Sequence, residues 1–295
     1  EGEQGDWEFV ITKLTEDSIF VKGKKWENEM VFTRMADGVD WTSYLDSIAD
    51  VQKRLAVNYS VGNSSDASKM VEINSATRRI LSRTADGQMV EQPFYVTPTG
   101  IHAVNEPVAL GEDKAQDFLV SKAGVMTAKD NENLTLNSYA PGIDTWVGNW
   151  TLSAMQGSCD MTISKVEDQE NMLKGTFTTG GYTYNIGLSF NPETGALNLP
   201  SQLIDDPSGR YPALWLMNAD LNQGTLLGQG GMNVVWHGVS QEGDFEDDGT
   251  LASEGYASDT FIALACTAKG EPIKENGQYV FVIEWYYLSN LTPNK

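Results

Sequence analysis

The chain has 295 residues, 40% of them hydrophobic, with 8 Trp, 11 Tyr and 10 Phe, which is ample apolar surface for a core. Its 41 acidic and 20 basic residues leave a formal charge of -21, which argues against nucleic acid and against a basic face docking on anionic lipid. No window approaches the ~18 to 20 apolar residues of a membrane-spanning helix, so the composition predicts a soluble, acidic, globular chain.

The first 33 residues read as short antiparallel strands. In Trp7-Glu8-Phe9-Val10-Ile11 the bulky residues alternate to one face, the period of a half-buried strand. Residues 18–22 and 29–33 repeat the pattern after polar turns. Residues 41–56 form the one convincing helix. Trp41, Tyr44, Leu45, Ile48, Val51 and Leu55 recur at spacings of three and four, and Asp40 stands at the N-cap. The β signal returns over 57–61, 70–82, 92–104 and 116–128, with turn chemistry at Asn63-Ser64-Ser65-Asp66 and Asp86-Gly87.

A boundary is expected near residue 140, where Ala140-Pro141-Gly142 follows the polar run Asp130-Asn131-Glu132-Asn133. Charge shifts there as well. Residues 1–144 hold 23 acids and 14 bases, whereas 145–295 hold 18 acids and only 6 bases. The second half shows eight or nine short strands with turn signals between them and no helical period, as in a barrel or sandwich. Alternation is clearest at Tyr182, Tyr184, Ile186, Leu188 and Phe190, followed by the hairpin residues Asn191-Pro192-Glu193-Thr194-Gly195. The expected fold is mainly β, with two β-rich domains. Residues 1–140 carry the single amphipathic helix, and residues 145–295 form an antiparallel barrel.

Three stretches resemble known families. The opening GDWEFVITKLTEDSIFVKGKKWENEMVF and the phrase FYVTPTGI (94–101) resemble a Bacteroidetes family of secreted surface lipoproteins of unknown function. The segment from WVGNWTLS at Trp146 through NPETGALNLPSQLI resembles lipocalin-like modules of such surface proteins. Gly148-Asn149-Trp150 matches the lipocalin G-x-W element, in which the Trp plugs one barrel end. The resemblance implies a lipocalin-like second domain and an exported protein, periplasmic or held at the outer membrane or cell surface through a lipid anchor that this chain does not contain. It also implies a first domain incomplete at its N-terminus. It carries no activity with it.

Catalytic and metal signatures are sparse. The only histidines are His102 and His237, and no HExxH, P-loop or G-x-S-x-G occurs. The glycine-rich run 228–231 has no helix after it to aim N–H groups at phosphate, and reads as a loop or bulge. Cys159 and Cys266 are too few for a disulfide framework; two buried thiols and a single bridge both fit. Asp244, Glu246 and Asp248 alternate before Gly249 like the start of a calcium loop, although the twelfth position is Gly255 instead of Glu. No cofactor is expected beyond weak calcium at those three residues.

The terminal stretch 280–287 concentrates aromatics, and alternation sends Trp285 and Tyr287 to one face and Tyr286 to the other. These three are the candidate ligand contacts. The expected function is that of a non-catalytic binding or accessory module for a glycan or small ligand. The alternatives are a structural component that pairs with another envelope protein, and a carboxylate-dependent hydrolase.

Overall fold

The computed structural model describes residues 9–16, 18–23, 29–33, 38, 40–75, 77–104, 116–155, 157–222, 225–247, 261–285, 288 and 290–294. They form two closed eight-stranded antiparallel barrels, a small N-terminal sheet, one α-helix and a sheet inserted into the second barrel.

The N-terminal sheet holds β1 (Phe9–Leu14), β2 (Ser18–Gly23) and β3 (Glu29–Thr33). Helix α1 (Trp41–Arg54) follows, and the Asp40 carboxylate accepts from the backbone N–H groups of Thr42 and Ser43. Lys53 and Arg54 occupy its last turn, where the helix dipole favours cations. Its apolar stripe is only partly used. Val51 is buried against barrel 1, whereas Trp41 and Leu45 are exposed.

Barrel 1 is a strict meander. Its strands are β4 (Asn58–Ser60), β5 (Met70–Asn74), β6 (Arg79–Arg83), β7 (Met89–Thr97), β8 (Gly100–Ala103), β9 (Gln116–Val120), β10 (Met126–Ala128) and β11 (Asn131–Ser138). Each pairs with the next, and β11 returns to β4. The three long β segments 70–82, 92–104 and 116–128 therefore each fold back as a hairpin. In the FYVTPTGI phrase the fold-back needs Gly100, because a Cβ there would lie 1.8 Å from the Phe118 carbonyl oxygen.

Barrel 2 begins after a short 3-10 turn with β12 (Gly148–Ala154), β13 (Gly157–Lys165), β14 (Met172–Thr179), β15 (Tyr182–Phe190) and β16 (Leu197–Leu199). The chain then leaves the barrel for β17 (Gln202–Ile204), β18 (Ala213–Asn222) and β19 (Thr225–Gly230). Most of the glycine-rich run is thus strand, and the register along β18 shifts across Gly228 and Gln229, so the bulge reading holds and the loop reading does not. The barrel resumes with β20 (Met232–His237) and β21 (Glu242–Asp247). A second excursion supplies β22 (Phe261–Cys266), the small hairpin β23 (Lys274–Glu275) and β24 (Gln278–Tyr279), and β25 (Phe281–Trp285). Finally β26 (Asn290–Pro293) closes the barrel on β12 and β21.

The excursions form the sheet β17-β18-β22-β25. Its inner residues Leu214, Leu216, Phe261, Ala263 and Ile283 join the same core as the barrel residues Trp150, Leu152, Met161 and Phe177. Barrel 2 is therefore filled and covered instead of hollow. The apolar void lined by Leu152, Ile163, Ile186 and Leu291 measures only about 10 Å³, no more than a single water needs. Cys159 and Cys266 are free thiols.

Trp150 is 2% exposed and Asn149 faces out. Trp150 Nε1 donates to the Trp146 carbonyl at 2.8 Å, and its ring meets those of Trp146 and Trp236 at 5.5 and 6.1 Å. Trp146 Nε1 donates in turn to Gly195 O in the β15–β16 hairpin.

The barrels are joined through the β20–β21 turn. Glu72 on β5 is buried, and its Oε1 lies 2.7 Å from His237 Nδ1. Its Oε2 accepts from the N–H groups of Val239 and Ser240 and from the Ser240 hydroxyl. Asn58 donates to Trp236 O at 2.6 Å and accepts from Gly238 N at 2.7 Å. Arg83 donates through Nε and Nη2 to Val239 O. Glu72, Asn58 and Arg83 of barrel 1 thus each hydrogen-bond across the joint to groups of residues 236–240 in barrel 2.

Candidate functional site

Strand β15 runs the length of barrel 2, and a concave site lies at each end of it. At its start, Tyr182 and Tyr184 border a groove of about 530 Å³ shared with Arg210, Tyr211, Phe281 and Glu284. Tyr184 stacks on Phe177 with ring centroids 5.3 Å apart, which fixes the floor. Tyr182 is 45% exposed at the mouth. Arg210 lies over the Tyr211 ring at 4.9 Å and contacts Glu275 through Nη2 at 3.0 Å. The Tyr211 hydroxyl donates to Glu275 at 2.9 Å. Burial and the nearby Asp206 charge push the Tyr184 hydroxyl up from its ordinary pKa; burial and Glu275 do the same for Tyr211. Both phenols therefore stay protonated near neutral pH, as hydrogen-bonding groups beside apolar ring faces.

The predicted contact residues Trp285, Tyr286 and Tyr287 are not among the described residues that line this groove. Strand β25 does line it, through Phe281, Ile283 and Glu284. Trp285 ends β25, and Tyr286 and Tyr287 lie outside the described residues. The tyrosines that build the groove come from β15 and from the loop before β18. Sequence reasoning used Tyr182 and Tyr184 only as markers of strand period, and nothing local linked either to Phe281.

The loop reading of 242–249 is corrected over its described part, 242–247. Glu242–Asp247 is strand β21, hydrogen-bonded to β20 on one side and to β26 on the other. Alternate strand residues are held ~6.6 Å apart along an extended backbone, whereas a calcium loop curls its ligands around one point. Asp244 is exposed, with Oδ2 3.8 Å from His237 Nε2. Glu246 sits on the same strand, and Asp248 lies outside the described residues. Among the described residues no three His, Cys, Asp or Glu side chains gather as a metal site.

Both histidines belong to strands. His237 is held in the inter-barrel joint. His102 on β8 pairs through Nδ1 with Asp117 at 2.5 Å and packs against the Tyr95 ring at 4.6 Å.

At the other end of β15 a larger cleft, about 790 Å³, separates the two barrels. Its lining includes Asn58, Ser138 and Tyr139 from barrel 1 and Ser189, Asn198 and Asn233 from barrel 2.

Residues 1–122 match the model of a domain of unknown function (DUF4302). The matched region takes in the N-terminal sheet, α1 and β4 through β9, and stops before the two strands that close barrel 1. No curated protein and no solved structure matches the chain.

Proposed function

We propose that this chain is a non-catalytic binding module that takes an uncharged glycan in the tyrosine groove of barrel 2, in the setting of an exported surface protein held by a lipid anchor. The observation that carries the reading is the groove itself. Tyr182, Tyr211 and Phe281 offer rings to the apolar C–H faces of a sugar, and Arg210 and Glu284 bring polar groups to its edge. The filled barrel supports it further. With only about 10 Å³ left inside, a ligand has more room on the outside of the barrel than within it. A charge of -21 disfavours polyanionic ligands, which leaves neutral sugars. The exported, anchored setting rests on the resemblance of the opening segment and of FYVTPTGI to surface lipoproteins.

A glycan array followed by titration calorimetry tests the reading. Tyr182→Ala is expected to weaken a bound neutral oligosaccharide by roughly tenfold without unfolding the protein. Unchanged affinity in that variant, or no binding to any neutral glycan, rejects it.

A second reading, an assembly component, is favoured by one specific observation. In the N-terminal sheet the register sets Leu14 beside Ile19 and Ile19 beside Phe32, and these three are 69%, 39% and 55% exposed. An apolar sheet face of this kind suits a protein partner.

A further inference from the structure

The inter-barrel cleft has a chemistry of its own. Register places Ser189 opposite Asn198, and Asn198 opposite Asn233, so the three make one row across β15, β16 and β20. All three are partly exposed, as expected for the outward side of strands whose neighbours Leu188, Leu197 and Val234 fill the core. Asn198 Nδ2 donates to Asn233 Oδ1 at 3.1 Å. That bond orients both amides and leaves Asn198 Oδ1 as an acceptor and Asn233 Nδ2 as a donor, with no other hydrogen bond among the described residues. The facing side carries the apolar Leu55 and Val57 and the ring of Tyr139. Among the described residues Glu193 is the only carboxylate in the lining, and no Lys or Arg lines it.

A row of hydroxyl and amide groups opposite an apolar wall matches a ligand with a hydroxylated edge and an apolar face. The described lining offers no cation to hold an anion, and its uncharged groups outnumber its one carboxylate. The volume falls within the ~300–1,000 Å³ of small-molecule sites. Asn58 belongs to both the lining and the joint, so the cleft takes its shape only when the barrels are docked.

We infer that the cleft between the barrels is a second binding site, separate from the tyrosine groove, for an uncharged polyhydroxylated ligand of the saccharide class. From Tyr182 to Ser189 the strand spans about 23 Å, so the two sites fill independently and are read separately.

Titration calorimetry of the full chain with neutral gluco-, manno-, xylo- and galacto-oligosaccharides tests the inference. Two binding events are expected in the wild type. Asn198→Leu combined with Asn233→Leu should weaken one of them by tenfold or more and leave unchanged the event that Tyr182→Ala weakens. The substitutions lie on the outer wall, and an unchanged melting temperature verifies the fold. Ser189→Ala, a smaller change in the same row, should weaken the same event. Glu72→Gln, which loosens the joint, should also lower that event alone. A wild type with one event, weakened by Tyr182→Ala, overturns the second site and leaves the groove standing. Two events untouched by the Asn198 and Asn233 changes also overturn it, and no heat from any sugar overturns both sites together.

Discussion

Trp150 shows what a single side chain can settle. It is buried among Trp146 and Trp236, with its indole N–H bonded to a main-chain carbonyl, at the end of barrel 2 that faces the joint. Trp150→Ala removes a large aromatic and strands that carbonyl, so the expected loss is about 3 to 5 kcal/mol in a denaturant titration. A loss under about 1 kcal/mol would mean the ring carries little of the core. Asn218 is the opposite case. It is fully buried on β18, it shares strand parity with Leu214 and Leu216, and both its amide atoms lack hydrogen-bond partners. Desolvating an unmatched amide costs about 1 to 3 kcal/mol, so Asn218→Leu is expected to raise stability by about 1 kcal/mol or more. A fall in the melting temperature on that change would show that the amide has a role that outweighs its burial.

Among the elements, α1 and the β15–β16 hairpin behave differently under substitution. The helix is capped at Asp40 and anchored at Val51, while Trp41 and Leu45 face solvent. Leu45→Lys should therefore shift stability by less than about 0.5 kcal/mol, against the several kcal/mol expected had the whole stripe been core. The hairpin is tightly constrained. Gly195 has φ 73°, and a Cβ there would lie 2.2 Å from Pro141 Cδ in the segment between the barrels. Gly195→Ala meets both a left-handed backbone and a clash, and the expected cost exceeds about 1 kcal/mol in thermal unfolding. The composition of these elements was legible in sequence. The alternation of 182–190, the turn residues of 191–195 and the spacing in 41–56 are local signals, and each produced the element it predicts. What a local signal lacks is the neighbour. Nothing in the spacing of α1 says that only its C-terminal half meets a barrel, and nothing in 242–247 distinguishes an acidic loop from an acidic strand of a closed sheet.

For the molecule as a whole, the joint at Glu72 makes acid the natural perturbant. Burial pushes the Glu72 carboxyl up, but the bond to His237, the charge of His237 and the N–H groups of Ser240 and Val239 together outweigh it and hold its pKa below the usual value. A carboxyl with a lowered folded pKa contributes stability that is complete above its unfolded pKa and is lost as pH falls through the folded one. Docking of the barrels is therefore expected to be intact at neutral pH and to weaken in acid, below the ordinary carboxylate range. Hydrogen exchange of β5 and of residues 237–241 across that range checks it, and Glu72→Gln should flatten the profile. An identical acid profile in that variant would remove Glu72 from the account. Glu72→Ala at neutral pH leaves His237 and two backbone donors without their acceptor, at a cost of about 3 kcal/mol.

By itself the sequence determined a mainly β chain of two β-rich halves, the capped helix, the turns, and a strongly acidic composition, because each of these follows from residues within a few positions of one another or from composition alone. Tertiary structure decided the rest. Closure of barrel 1 depends on β11 finding β4, and the joint depends on Glu72 meeting His237, 165 positions away. Filling of barrel 2 depends on strands inserted between β16 and β20 and between β21 and β26 folding back over its core. The tyrosine groove likewise needs β15 and β25 to be neighbours. A strand's period states which of its sides is apolar, but which other strand covers that side is set by packing across the whole fold, and no local pattern of residues encodes it.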